Sequence, residues 1–266
     1  MAAKQAALAL VLSCCTLAPL FAGDAAEEDA PTGTWAPDSG DSEGANSSAS
    51  LSLPVLNKYV WRGLLLTDGP VIQPEVEVTH RGFFVNIWTN LDLDDGNGNE
   101  REMNEIDLTF GYSRDLGLAS ISGGLIHYTF PSTLLQDTTE LFASTTFDVL
   151  LSPTLTAYLD LDAASGGSYW DLGIGHGFEM PGSVPWSVEL ALDLGWGSSE
   201  LNELYFGVGE AGFTDIVGGV TVPIDLSHGW TLTPSVAYSA VLGGSLRDSV
   251  DEPDNFIAGV SVTYDF

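Results

Sequence analysis

The chain has little cysteine, little positive charge and no long membrane-spanning apolar run beyond its first residues. Its two cysteines, Cys14 and Cys15, both lie in an apolar run over 6–22. That run follows Lys4 and precedes the polar, acidic stretch 23–28, the pattern of a secretory signal peptide cut after Ala22 or Ala25. The exported chain then has no thiol, which excludes disulfides, thiol chemistry and zinc-thiolate sites. Seven Lys and Arg face 37 Asp and Glu, a formal charge of −30, which becomes −31 when Lys4 leaves with the signal (−30 − 1). No Lys or Arg occurs between Arg114 and Arg247. Nucleic acid is excluded as a partner, because phosphate binding needs clustered cations. Acidity on this scale also suits a saline habitat, where surface carboxylates keep a protein hydrated. The uncharged span 116–136 contains Gly, Ser, Thr, His, Gln and Pro131 and makes a poor spanning helix.

What is present is alternation. Residues 23–48 form an acidic leader rich in Asp, Glu, Gly, Ser, Ala and Pro, with the composition of a disordered segment. Residues 49–266 repeat one unit, about ten alternating residues and a turn. In 186–196, Trp186, Val188, Leu190, Leu192, Leu194 and Trp196 share one face, and Ser187, Glu189, Ala191, Asp193 and Gly195 share the other. A helix would spread those acids around its circumference; a strand collects them. The two tryptophans are ten residues apart, which at ~3.3 Å per residue and a tilt near 40° spans roughly 25 Å, the height of a lipid-facing band. Aromatic rings at both edges suit the membrane interface. The last residues repeat the pattern: Phe256, Ala258, Val260, Val262, Tyr264 and Phe266 on one face, with Ser261, Thr263 and Asp265 on the other. Trp186, Trp196, Phe256, Tyr264 and Phe266 are therefore the expected aromatic girdle.

About twelve such segments can be counted, an even number as in bacterial barrels. Connectors alternate short (80–82, 115–117, 152–153, 181–185, 227–229) with long (63–69, 94–104, 131–138, 163–168, 198–212, 243–254). These features predict an all-β, up-and-down antiparallel transmembrane barrel of the bacterial outer-membrane type, with both mature termini on the periplasmic side. No capped amphipathic helix is expected, and the segment near 211–222 leaves open which face is apolar. A secreted β-sandwich also alternates, but gives no reason for aromatic rings at two fixed heights.

The polar faces collect carboxylates: Glu75, Glu77, Asp92, Asp107, Asp148, Asp160, Asp162, Asp171, Glu189, Asp193 and Asp265. In hydrocarbon each would cost several kcal/mol, so they are expected to line an aqueous lumen. Rings of Asp and Glu favour cations, so the expected cargo is small cations or small polar solutes, and the surroundings are outer-membrane lipid and lipopolysaccharide. The alternative for the acids is a plugged lumen in which they are merely solvated or share protons. The alternative function is a non-conducting structural barrel that binds envelope partners through its rim and leader. Twelve strands enclose too little room for a wide nonspecific pore.

The run Lys58-Tyr59-Val60-Trp61-Arg62-Gly63, followed by Asp68-Gly69-Pro70, Gln73, Gly82-Phe83-Phe84 and Trp88, resembles the opening of the TorF-like family of outer-membrane porins. The MltA-interacting, OmpV-like barrels are a close competitor. The resemblance implies a strand ending in Tyr-x-aromatic-Arg-Gly, a short loop and a paired strand, with Tyr59, Trp61, Arg62 and Gly63 at the rim. Arg62 there either pairs with interior acids or anchors the strand end.

Two motifs fall short of chemistry. The acidic loop 92–100 fails the calcium-loop pattern laid from Asp95, because Glu100 stands where Gly is needed and Ile106 where the closing Glu is needed. His80, His127, His176 and His228 are dispersed and form no nucleophile motif. No catalytic residue, cofactor or metal is expected.

Overall fold

The computed structural model describes residues 47–94 and 101–266. The expected signal peptide, the leader up to residue 46 and the acidic loop over 95–100 lie outside the described residues. Among the described residues the first strand begins at Ser47, two residues before the expected barrel boundary.

The described residues form sixteen strands and two short helices, in chain order: β1 (Ser47–Leu56), β2 (Tyr59–Trp61), β3 (Leu64–Thr67), β4 (Val71–Ile72), β5 (Glu75–His80), β6 (Phe83–Asp92), β7 (Met103–Asp115), β8 (Ala119–Thr129), β9 (Thr138–Phe147), β10 (Thr154–Asp160), β11 (Ser168–Met180), β12 (Trp186–Gly197), α1 (Ser199–Phe206), β13 (Gly212–Thr221), β14 (Ile224–Ser227), β15 (Trp230–Val241), α2 (Gly244–Asp248) and β16 (Asp254–Asp265). Each neighbouring pair is antiparallel. β4 and β5 form one interrupted stave, broken at Gln73-Pro74, and β13 and β14 form another, broken at Val222-Pro223; proline cannot donate to a ladder. With β2 and β3 set aside, the described residues make twelve staves. Closure comes from β16 on β1, in register from Ser50↔Asp265 to Leu56↔Gly259. A closed sheet leaves no edge and satisfies its backbone without solvent, the condition for strands in a membrane.

Short turns join the staves at one end and long loops at the other. Arg81-Gly82 and His228-Gly229 are two-residue turns with positive φ at both positions, the backbone that matches strand twist. The first and last barrel strands meet at this short-turn end, where the Phe266 N–H donates to the Ala49 carbonyl at 2.9 Å.

Alternation places apolar side chains outside. On β6, Phe83, Val85 and Ile87 are exposed, while Phe84, Asn86, Trp88, Asn90 and Asp92 are buried. The exposed set continues around the wall through Leu53, Val78, Leu108, Phe110, Leu125, Leu141, Leu155, Leu172, Leu192 and Val260. A water-soluble monomer rarely presents so continuous an apolar surface. Aromatic rings gather near the two ends of this wall. At the short-turn end, Trp230 packs on Tyr264 and Tyr264 on Phe266, both at 4.7 Å, with Trp186 at the start of β12. Toward the loops, Trp196 is paired in register with Trp170 and Phe213, and Phe256 with Tyr238.

The structure differs from expectation in two loops. The link after β12 holds α1, capped by Ser198 Oγ accepting from the Leu201 N–H and closed by Gly207 in the left-handed region. Its eight residues are too few for a hydrophobic period to stand out, although the Ser and Gly stop signals are present. The link after β15 holds α2. The ambiguous segment 211–222 is resolved by a register shift opposite Leu194 and Trp196. Thr214 and Asp215, adjacent in sequence, are both buried, so the two-residue period fails there.

Candidate functional site

Residues 57–70, between β1 and β4, enter the barrel. Their centre is the β2–β3 hairpin, in which Tyr59, Val60, Trp61 and Arg62 are all buried. Its contacts reach staves on several sides of the wall. Tyr59 meets Trp88 of β6 at 5.6 Å; Arg62 meets β9, β10 and β11; Gly63 lies against Asp215 of β13 and Val241 of β15; Val60 packs with Ala237 of β15 and Ile257 of β16. Only a segment inside the barrel reaches all these staves. Helix α1 covers it from the loop side, with Tyr205 edge-on to Trp61 at 4.8 Å.

The expected geometry of the Tyr59–Gly63 motif is therefore corrected. β1 ends at Leu56, and the motif belongs to a separate inward hairpin rather than to a strand end at the rim. The reason is composition: Tyr59, Val60 and Trp61 are mostly apolar surface, and the barrel interior buries all three.

Arg62 is the only buried basic residue among the described residues. Its Nη1 and Nη2 donate to Glu140 Oε1 and Oε2, both at 2.8 Å, a parallel fork. The guanidinium carbon lies 4.4 Å from the Trp61 ring centre, 4.7 Å from Tyr158 and 4.3 Å from Tyr169. Tyr128 donates its hydroxyl to Glu140 Oε2 at 2.9 Å, and Tyr169 donates to Asp215 at 3.0 Å. Thr214 also donates to Asp215, at 2.7 Å. Burial works to lower the Arg62 pKa, but the charge and hydrogen bonds of Glu140 outweigh it, and the pKa is raised well above the usual arginine range. Arg62 is thus a permanent cation. Two close approaches shape the cage. Gly63 has φ +82°, and a Cβ there would sit 2.9 Å from Asp215 Cβ. A Cβ on Gly195 would strike the Tyr169 hydroxyl and the Asp215 carboxylate.

The sequence-selected acids divide into three groups. Asp92, Asp107, Asp160, Asp171 and Glu189 are buried on inward positions, and Glu75, Glu77 and Asp193 are half-buried there. Asp92 accepts from Thr67 of the hairpin and from Asn90, both at 2.9 Å, and Asp160 accepts from Thr138 at 2.8 Å. Glu189 accepts from Thr221 at 3.1 Å. Asp265 keeps the inward phase of β16 but is exposed at the short-turn mouth. Two acids do not belong to the interior. Asp148 follows the end of β9 and Asp162 follows the end of β10, and both are exposed in connections. Alternation in sequence continues past the strand ends, where the chain leaves the wall.

Glu105, Glu140 and Asp215 are buried interior acids absent from the expected set. Glu140 escapes a reading by alternation because β9 carries threonine on both faces, Thr138 and Thr146 inward and Thr139 and Thr145 outward, with Phe142 among the inward residues, so its two faces contrast weakly. Asp215 was hidden by the register shift. The histidines stand apart: His127 on the outer face of β8 bonds Thr139 at 3.0 Å, His80 bonds Ser47 at 2.7 Å at the short-turn end, and His176 packs on Phe178.

Residues 40–161 match Gcw_chp, described as a bacterial protein of unknown function. That span is a little under half of the chain and includes both Arg62 and Glu140. No curated protein matches the chain. Among solved structures it is similar to one described as the KdgM porin, with TM-score 0.51 and 16% identity over 82% of this chain and 99% of that one. A structure described as the NanC porin gives TM-score 0.46 and 9% identity over 80% of this chain and 98% of that one. At such identities the likeness to KdgM concerns the fold, a closed antiparallel barrel of the outer-membrane porin type. The narrower TorF-like resemblance rests on the motif residues alone.

Proposed function

We propose that the protein is a cation-preferring outer-membrane porin whose interior hairpin controls passage. The chain is read as a signal peptide over 1–22, a leader over 23–48 and a barrel with both mature termini in the periplasm. The carrying observation is the acidity inside: among the described residues, eight buried acidic side chains (Asp92, Glu105, Asp107, Glu140, Asp160, Asp171, Asp215 and Glu189) against one buried basic one, Arg62. Such an interior repels anions and favours small cations or small polar solutes carrying positive charge. Passage is electrostatic and passive, and the reading uses no catalytic group. The hairpin lies in the interior on the loop side, and in this reading its displacement opens the path. Toward the short turns most inward positions are small or polar, among them Ser50, Ser52, Ser122, Ser144, Thr154, Gly173, Gly175, Thr233 and Ser261, with Phe84 an aromatic exception.

A second reading is a non-conducting barrel that binds envelope partners. The observation that favours it is the aromatic packing of Tyr59, Trp61, Phe84, Trp88, Phe142, Tyr158 and Tyr169 in one cluster inside the wall. Planar-bilayer recording of the refolded protein under a potassium chloride gradient separates the two. Discrete channels with a cation-selective reversal potential support the porin. A sealed bilayer, both for the wild type and after deletion of 59–67, supports the scaffold and ends the porin reading.

A further inference from the structure

The cage around Arg62 has the form of a ligand site already filled by the chain itself. Its floor is the Glu140 carboxylate, fully buried and forked toward a planar cation. Its walls are the faces of Trp61, Tyr158 and Tyr169, all within 4.7 Å of the guanidinium carbon. Two of those walls and the floor belong to the barrel rather than to the hairpin, so they persist whatever the hairpin does. Ring faces give little to a bare inorganic ion, which needs a shell of oxygens. They suit a flat, weakly hydrated cation, and the fork suits two parallel N–H donors. An ammonium point charge satisfies the carboxylate but not the fork. We propose that this cage is a binding site for guanidinium-bearing organic cations, with Arg62 as its resident internal competitor.

The arrangement assigns a role to the hairpin. A guanidinium-bearing solute that reaches Glu140 makes the same two hydrogen bonds that Arg62 makes and meets the same barrel rings, Tyr158 and Tyr169. Within the cage it therefore replaces Arg62 charge for charge, whereas an anion is repelled by Glu140 and a neutral sugar offers it hydroxyl donors but no charge. The physiological meaning, solute selection in a channel, rests on the proposed porin function; the binding itself does not.

The test is chemical rescue. Arg62→Ala removes Cγ, Cδ and the guanidinium, a void matched by ethylguanidinium. Calorimetric titration of the refolded Arg62→Ala barrel with ethylguanidinium should show one saturable site. Tetramethylammonium and potassium should bind at least about tenfold more weakly, since they lack the charge-assisted fork. The wild type, with the cage occupied, should bind at least about tenfold more weakly than Arg62→Ala, and Arg62→Ala/Glu140→Gln should lose the site. Equal binding by all three cations, or binding that survives loss of Glu140, overturns the assignment. If Arg62→Ala alone does not refold, its refolding yield with ethylguanidinium is the readout: recovery supports the cage, and no recovery refutes it. Binding without conductance in any variant would end the porin reading alone; conductance without binding would end this assignment alone.

Discussion

Replacing Glu140 by Gln tests what holds the hairpin in place. The substitution keeps the shape but leaves Arg62 charged, fully enclosed and without its counter-ion. Removing one partner of a buried pair costs about 3–5 kcal/mol. Three ring contacts and one remaining amide oxygen still face the guanidinium, which places the loss toward the lower end, about 3 kcal/mol. Against ejection stand the buried side chains of Tyr59, Val60 and Trp61, together worth roughly 5–9 kcal/mol at 1.5–3 each. The retaining contribution exceeds the penalty, so the hairpin should stay seated while the folded barrel loses stability. Urea unfolding in detergent micelles, followed by tryptophan fluorescence, should show that loss, with bilayer conductance unchanged. Arg62→Met combined with Glu140→Gln should recover much of it, because the stranded charge is gone, giving a non-additive cycle. A Glu140→Gln barrel within about 0.5 kcal/mol of wild type, or strictly additive substitutions, would refute the account, since distant independent sites behave that way.

Trp61→Ala, which removes a cage wall and the contact with Tyr205, should destabilise by about 3–5 kcal/mol and raise the open probability in single-channel recording. Gly63→Ala forces a Cβ onto Asp215 at a left-handed backbone position and should lower the urea midpoint by the equivalent of about 1–3 kcal/mol. Ser198→Ala removes the α1 cap and should speed amide exchange in 199–206 through a local loss of about 0.5–2 kcal/mol, leaving the barrel strands unchanged. The raised Arg62 pKa makes its stabilisation present at all pH below the usual arginine value and lost only above it. Wild-type heat-modifiable migration should therefore show no transition from this group between about pH 7 and pH 10, whereas Arg62→Lys, with an ordinary value near 10.4, should weaken toward the alkaline end.

Much of the barrel is legible in the chain because its information is local. A strand that divides lipid from an enclosed interior must alternate, and β6, β7, β11, β12 and β16 do so residue by residue. The alternation of short and long connectors follows from the same meander. The limits are local too: Asp148 and Asp162 were misplaced because a period of two says nothing about where a strand stops, and Asp215 was lost where a register shift breaks the period.

The candidate site is of another kind. Arg62 and Glu140 are 78 residues apart, and nothing in the neighbourhood of either one names the other. The chain by itself determined the wall, its apolar exterior and the acidity within, because side-chain alternation and composition are properties of short segments. Only closure of β16 on β1 made an interior, and only that interior could draw in an apolar hairpin and enclose its one cation between rings from β10 and β11 and a carboxylate from β9. The physical reason is that a charge is tolerated away from water only where several distant groups converge on it at once, and convergence is settled by the tertiary fold.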